Sequence, residues 1–293
     1  MSHFSHIVII YNPNSTGNGK KLAQALASDL GQLTIAAEVQ LIPTKYAGHG
    51  EELAARYAKQ YPRPLIVSSS GDGGYNEIIN GVLKSGSTTA TTSVLPAGNA
   101  NDHHTALRAV DYTKRIARSE VQTIDTLLLE TTIDGKPWCR YAHSYIGLGI
   151  TPQIGEELTK AKLNPINEIW LVFRNLFKVR PIKLIFNNRA IRYDSIVFSN
   201  IDRMSKIMNL SDKSSVMDGK FEIAELKSGS WHDIFVHIFK ASTVGLKNPK
   251  QASEYKFKTA RALPVQFDGE VETLPAGSDV IISCESRTLQ CII

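Results

Sequence analysis

The chain has 293 residues, enough for two ordinary domains, each with its own core, and so for a cleft between them. Hydrophobic residues make up 42% and charged residues 21%, which fits a folded globular protein and excludes the disordered and fibrous classes. A net charge of +5 and a sequence pI of about 9.0 suit an anionic partner, yet no run of Lys and Arg reaches five residues, so nucleic acid is not expected.

Cys139, Cys284 and Cys291 are odd in number and lack C-x-x-C spacing, which argues against a disulfide framework or a zinc site and favours a reducing cytoplasm. The opening MSHFSHIVIIYNP reads as a first strand and not a signal peptide, because its apolar run is short and a turn follows at once. No stretch approaches the roughly 20 apolar residues that a membrane-spanning helix needs.

From the N-terminus, HIVIIY (6–11) is a strand, NPNSTGNG a turn and KKLAQALASDLGQL a helix, with Leu22, Ala25, Leu26, Asp29 and Leu30 at helical spacing. The alternation repeats. AAEVQLIPT precedes GHGEELAARYAKQY, PLIVSSSGDGG precedes NEIINGVLKSG, and TTSVLPAG precedes NDHHTALRAV. Such a pattern predicts a parallel sheet with helices on both faces, an α/β N-terminal domain over 1–125. Beyond it come TIDTLLLETTI, WCRYAHSYIGLG, RPIKLIFNNRAIRYDSIVFSN, KFEIAELKSG, LPVQFDGEVETL and DVIISCESRTLQCII. Strand candidates joined by DG, NN and SG turns predict a C-terminal antiparallel β-sandwich over 126–293, with helical stretches near 153–178 and 230–245. The last residues are free to return to the N-terminal domain. Neither an internal repeat nor a low-complexity segment is evident.

In an open α/β sheet, ligands bind beyond the carboxyl ends of the strands, and three polar, glycine-rich loops fall there: NPNSTG, SGDGGYNE and LPAGNAND. Gly71, Gly73 and Gly74 let backbone N–H groups approach phosphate oxygens, and the helix that follows adds its positive end. The loop has neither the G-x-x-x-x-G-K-[ST] spacing nor a dinucleotide G-x-G-x-x-G. Asp72 has two readings, a turn aspartate or a group facing phosphate-bound Mg2+ or a substrate hydroxyl. Asn101 and Asp102 likewise read as an N-terminal cap or as ligand contacts.

NP-x-S-x-G at 12–17, SGDGGYNE at 70–77, LPAGNAND at 95–102, MDGKFEI at 217–223 and FDGE at 267–270 occur in an order that resembles the diacylglycerol kinase catalytic family. That family includes bacterial lipid kinases and the sphingosine and ceramide kinases. The resemblance implies a nucleotide domain, a β-sandwich, and transfer of the ATP γ-phosphoryl group to a lipid hydroxyl in the cleft. It implies nucleotide contacts from Asn12, Ser15, Thr44, Ser70, Gly71, Asp72, Gly73, Gly74, Asn76 and Asn99. It also implies a structural Mg2+ held by Asp218 with carbonyls near Ser215 and Lys220, and Glu270 as general base, with Asp268 supporting both metal and base. On a regular strand, residues i and i+2 share a side, so Asp268 and Glu270 are expected together. The partners implied are ATP, a lipid and the cytoplasmic membrane surface, contacted peripherally; a homodimer is compatible.

This sequence departs from the family where Gly74 and Asn99 stand in place of threonines, and where Thr151 and Pro152 replace an aspartate and a small residue. His103 and His104 replace apolar residues and read as surface or cleft positions, not a metal pair. The stretch 164–181, with Trp170 and Phe173 at helical spacing among basic residues, reads either as a helix packed on the sandwich or as an acyl-chain or membrane contact. The rival readings are an NAD kinase, which shares the GDG and NE elements, and a catalytically silent nucleotide- or lipid-binding protein. The NP-x-S opening and the terminal DGE favour the lipid kinase over the first. Retention of Asp72, Asp218, Asp268 and Glu270 favours it over the second.

Overall fold

In a computed structural model, residues 4–33, 35–107, 111–153, 180–201, 215–229 and 250–292 are described, together with the backbone of 203–204 and 208–209. The chain forms two compact units, one of residues 1–124 and 287–293, the other of residues 125–286.

The first unit alternates as the sequence predicts: β1 (His6–Tyr11), α1 (Gly19–Gly31), β2 (Glu38–Pro43), α2 (His49–Gln60), β3 (Pro64–Ser70), α3 (Asp72–Lys84), β4 (Thr91–Pro96) and α4 (Asp102–Leu107). A short α5 (Tyr112–Arg118) follows, which the sequence reading left out. The strands lie in the order β4-β3-β1-β2, all parallel, with Ile7 opposite both Val39 and Leu65. Helix α1 buries Ala23, Leu26 and Leu30, an i, i+3, i+7 stripe, against Ile7, Ile9, Leu65 and Val67. Ala25 is not on that buried stripe. Each fully buried Leu or Ile of this kind contributes about 1.5–3 kcal/mol.

Strand β3 is buried along its whole length, as a central parallel strand should be, yet it ends in Ser68, Ser69 and Ser70. Their hydroxyls are satisfied locally: Ser68 Oγ lies 2.7 Å from Ser70 Oγ, and Ser69 Oγ donates to Gly19 O at 2.8 Å.

The second unit holds the antiparallel strands: β5 (Val121–Ile133), β6 (Lys136–Ala142), β7 (Tyr145–Gly149), β8 (Ile182–Phe186), β9 (Arg189–Ser199), β10 (Arg203–Met204), β11 (Met208–Asn209) and β12 (Phe221–Lys227). Then come β13 (Lys250–Ala252), β14 (Glu254–Thr259), β15 (Leu263–Phe267), β16 (Glu270–Leu274) and β17 (Asp279–Ile292). The NN and DG signals mark real hairpins: Asn187 and Asn188 take φ of 49° and 62° between β8 and β9, and Asp268 and Gly269 take 50° and 107° between β15 and β16. The run WCRYAHSYIGLG is two strands, β6 and β7, parted at His143 and Ser144. The core gathers Leu127, Ile146, Ile196, Phe198, Phe221, Val265 and Phe267 among others.

Strand β17 pairs with β14 through residues 279–283 in the second unit, while its end pairs parallel with β4 at Cys291 and Thr92 in the first. Thr92 Oγ1 donates to Gln290 O at 3.2 Å and Ser93 Oγ to Ile292 O at 3.4 Å, so hydroxyls of β4 hold the C-terminal residues. The helical expectations over 154–178 and 230–245, and with them Trp170 and Phe173, lie outside the described residues. Just before the first of them, the Gln153 amide donates to Arg180 O and accepts from Arg180 N, both at 3.1 Å.

Candidate functional site

Three loops leave the C-terminal ends of β1, β3 and β4, and glycine contacts lock them together. Gly17 N donates to Ala97 O at 2.8 Å, and a Cβ on Gly17 would lie 2.7 Å from that oxygen. A Cβ on Gly98 would run into Gly71 Cα, so the second and third loops touch backbone to backbone. Inside the first loop, Asn12 Oδ1 accepts Asn14 N at 2.9 Å and Ser15 Oγ accepts Gly19 N at 2.8 Å. Asn12 is exposed and Ser15 half-buried. Thr44 is half-buried just after β2 and donates its N–H to Tyr11 O at 2.9 Å, which brings it beside the same strand ends. Gly71, Asp72, Gly73, Gly74 and Asn99 are all half-buried.

Asp72 opens α3 and reaches into the third loop. Its Oδ2 accepts Asp102 N at 3.1 Å and its Oδ1 accepts His103 N at 3.3 Å, so it caps α4 from another element. Asn101, read as a cap, turns back instead: its Oδ1 accepts Gly98 N at 2.8 Å and its Nδ2 donates to Gly98 O at 3.0 Å, with φ at 54°. The asparagine side chain closes the PAGNAN loop on itself.

Asn76 lies at 0% exposure with Oδ1 accepting Asn80 Nδ2 at 3.1 Å, so it braces α3. Its neighbour Glu77 was given no role from sequence. The two oxygens of Glu77 accept Gly48 N at 2.7 Å and Gly50 N at 2.9 Å, capping α2. His103 is buried against the Tyr75 ring at 5.3 Å and is no surface residue; only His104 is partly exposed, and burial lowers its pKa. Among the described residues, no group of His, Cys, Asp or Glu could hold a metal ion by itself.

In the second unit, the two carboxylates of the DGE motif stand on different elements. Asp268 is a turn residue with positive φ and no exposure, while Glu270 begins β16 and is half-buried, so the strand geometry behind the same-side expectation does not apply to this pair. Asp268 Oδ1 accepts Ser144 N at 2.9 Å and Tyr145 N at 2.8 Å. Its Oδ2 accepts His143 N at 2.8 Å and lies 2.8 Å from His143 Nδ1. Burial acts to raise this carboxyl, but the His143 ring and the backbone donors outweigh it and hold it below the usual aspartate range. A carboxylate so enclosed is a clamp on the β6–β7 turn.

The MDG loop is held by a residue that the sequence reading passed over. Asp125, buried in β5, accepts Gly219 N at 2.7 Å and Ser286 Oγ at 3.3 Å, while its own N–H donates to Val216 O at 2.7 Å. Its signal was available, since an aspartate inside the apolar run TIDTLLL calls for buried partners. Asp218 is exposed; its Oδ1 accepts Lys220 N at 3.1 Å, and the exposed Ser215 accepts Met217 N at 3.3 Å. Burial, then the negative charge of Asp125, Asp218, Glu285 and Glu222, pushes the Cys284 thiol up to about 12. Cys291 is raised to about 12 by burial, so neither thiol is a ready nucleophile.

A parallel α/β unit with polar loops at its strand ends, followed in the chain by an antiparallel β unit, defines the class. Residues 6–129 match the family described as "Diacylglycerol kinase catalytic domain", which bears out the resemblance carried by the motifs. Three solved structures from Bacillus anthracis str. Sterne share the fold, each over 100% of this chain and 98% of theirs. Two are of a candidate diacylglycerol kinase, at 17% identity with TM-scores of 0.72 and 0.74; the third is of a diacylglycerol kinase, at 15% identity and 0.67. No functionally curated protein matches the chain by sequence.

Proposed function

We propose that this protein is an ATP-dependent lipid kinase that transfers the γ-phosphoryl group to a lipid hydroxyl, most simply that of diacylglycerol or a related glycerolipid. The observation that carries the reading is the locked set of three loops, within a stretch that matches the diacylglycerol kinase catalytic domain. In this reading residues 1–125 bind the nucleotide and 126–293 hold the lipid, with the last residues returning to the first domain.

The triphosphate rests on the N–H groups of Gly71–Gly74 and the positive end of α3, with Asn12, Ser15, Thr44 and Asn99 around it. Glu270 takes the proton of the acceptor hydroxyl as that oxygen bonds to phosphorus, and ADP leaves with the electron pair of the broken bond. An alcohol is too weak an acid to ionise beforehand, so positioning and electrostatics dominate the rate. Bound Mg2+ supplies charge neutralisation at the phosphates. Asp72 fits such an ion, because its carboxylate supplies hard oxygen donors at the start of α3 and the residue is partly open. The exposed Asp218, with the carbonyls near Ser215 and Lys220, fits a structural Mg2+, because these are hard oxygen donors on one exposed turn. Asp268 does not fit as a metal ligand, since it is buried and its oxygens are taken up by His143, Ser144 and Tyr145; it positions the β6–β7 turn instead.

The lipid would be met at the cytoplasmic membrane surface by peripheral contact, to which the net charge of +5 contributes attraction. No helix among the described residues is long and apolar enough to cross a membrane. The test is transfer from labelled ATP with Mg2+ to diacylglycerol, monoacylglycerol, phosphatidylglycerol, sphingosine, ceramide and NAD, with Glu270→Gln as control. A labelled lipid absent from the control is the expected result. Label on NAD alone, or none on any acceptor, would overturn the reading.

A further inference from the structure

Positions 70 and 74 share one volume. Ser70 ends β3 at 5% exposure, and a Cβ on Gly74 would overlap its Oγ and lie 2.7 Å from its Cβ. Only one of the two positions can carry a side chain without the backbone moving. Gly74 falls in the first turn of α3, so the Ser70 hydroxyl already occupies the space that a side chain from that turn would fill.

The surroundings of this hydroxyl leave its proton available. Ser70 Oγ has two near partners, Ser68 Oγ at 2.7 Å and Gly71 O at 3.1 Å, and the first of these contacts works with either hydroxyl as donor. When Ser68, itself 1% exposed, donates to Ser70, the Ser70 proton is held only by the longer contact to Gly71 O. Exchanging that contact for a charged phosphate oxygen gives a stronger, charge-assisted bond.

We propose that Ser70 and Gly74 act as one exchanged pair. The hydroxyl that the family resemblance places at residue 74, where Gly74 stands in place of a threonine, is delivered to the phosphates from the end of β3 by Ser70, with Ser68 as its positioning residue. The proposal rests on the nucleotide reading above, and it accounts for the glycine at 74: with Ser70 in place, nothing larger fits.

The test is calorimetric titration of the full chain with Mg2+ and a non-hydrolysable ATP analogue, paired with thermal melting, for wild type, Ser70→Ala, Gly74→Thr and the double variant S70G/G74T. Ser70→Ala is expected to weaken binding about tenfold, the equivalent of ~1.4 kcal/mol. Gly74→Thr alone is expected to lower the melting temperature, because both side chains then claim the same volume. The double variant is expected to regain both wild-type melting and wild-type affinity, which no merely structural role of Ser70 would produce. Wild-type affinity in Ser70→Ala would overturn the exchange while leaving the nucleotide reading intact, as would a stably folded double variant that binds no better than Ser70→Ala. A wild type that binds no nucleotide would overturn both.

Discussion

Asp268→Asn separates a clamp from a metal ligand. The side chains are nearly isosteric, so the substitution changes hydrogen bonding and charge with little change of volume. In the wild type, one oxygen faces Ser144 N and Tyr145 N, the other faces His143 N and Nδ1, and all these distances are 2.8–2.9 Å. An asparagine keeps one oxygen and must turn an NH2 toward one of these donor pairs, leaving two donors facing a donor in a site with no exposure. A buried donor left unsatisfied costs about 1–3 kcal/mol, and the substitution leaves two of them. We therefore expect ~4 kcal/mol of destabilisation, which for a domain of this size lowers the melting temperature by about 8–16 °C. Differential scanning calorimetry of the full chain reads it directly, followed by kcat against Mg2+ concentration at a temperature where the variant is folded. A normal melting temperature combined with a raised Mg2+ requirement would refute the clamp and restore Asp268 to the metal.

Gly98→Ala is expected to part the second and third loops, because its Cβ would run into Gly71 Cα. Nucleotide affinity measured by titration should fall about 5- to 150-fold, on an overpacking cost of ~1–3 kcal/mol. Gly31→Ala, whose Cβ would meet nothing within 4 Å, should leave it unchanged; equal effects in the two variants would refute the contact. Acid should also weaken the second unit. The Asp268 carboxyl is lowered in the folded state, so its contribution is fully present above the ordinary aspartate value of about 3.9 and is lost as pH falls through the lower folded value. Urea midpoints measured from pH 5 down to pH 2 should therefore drop more steeply for wild type than for Asp268→Asn, and parallel curves would contradict the linkage.

The fold was legible where local signals agree with the global arrangement. The strand-to-helix rhythm of the first 107 residues and the NN and DG hairpins all carry turn chemistry or periodicity in their own letters. Helix α5 was missed because DYTKRIARSE has a single buried residue, Ile116, and so almost no apolar stripe to read. The candidate site was legible as a set of loops but not as a set of contacts. That Asp72 caps α4, Glu77 caps α2 and Asn101 closes its own loop depends on which strand ends lie side by side, and spacing along the chain does not carry that information.

Four acidic residues in and beside the motifs share a feature that bears on how their loss is interpreted. A glycine-rich turn or a helix start exposes consecutive N–H groups, and an adjacent carboxylate is the cheapest way to satisfy them. Asp72, Glu77, Asp125 and Asp268 each accept at least one such N–H here, in every case from residues distant in sequence. Glu270 differs in position, since it stands at the start of a strand and not at a turn, half-buried, while its neighbour fixes the hairpin. Loss of activity on replacing Glu77, Asp125 or Asp268 therefore identifies a support for the loops and not a reacting group, whereas at Asp72 the loss of that support adds to the loss of a Mg2+ contact. Only a variant that keeps its melting temperature and nucleotide affinity while losing transfer, as Glu270→Gln should, identifies the base.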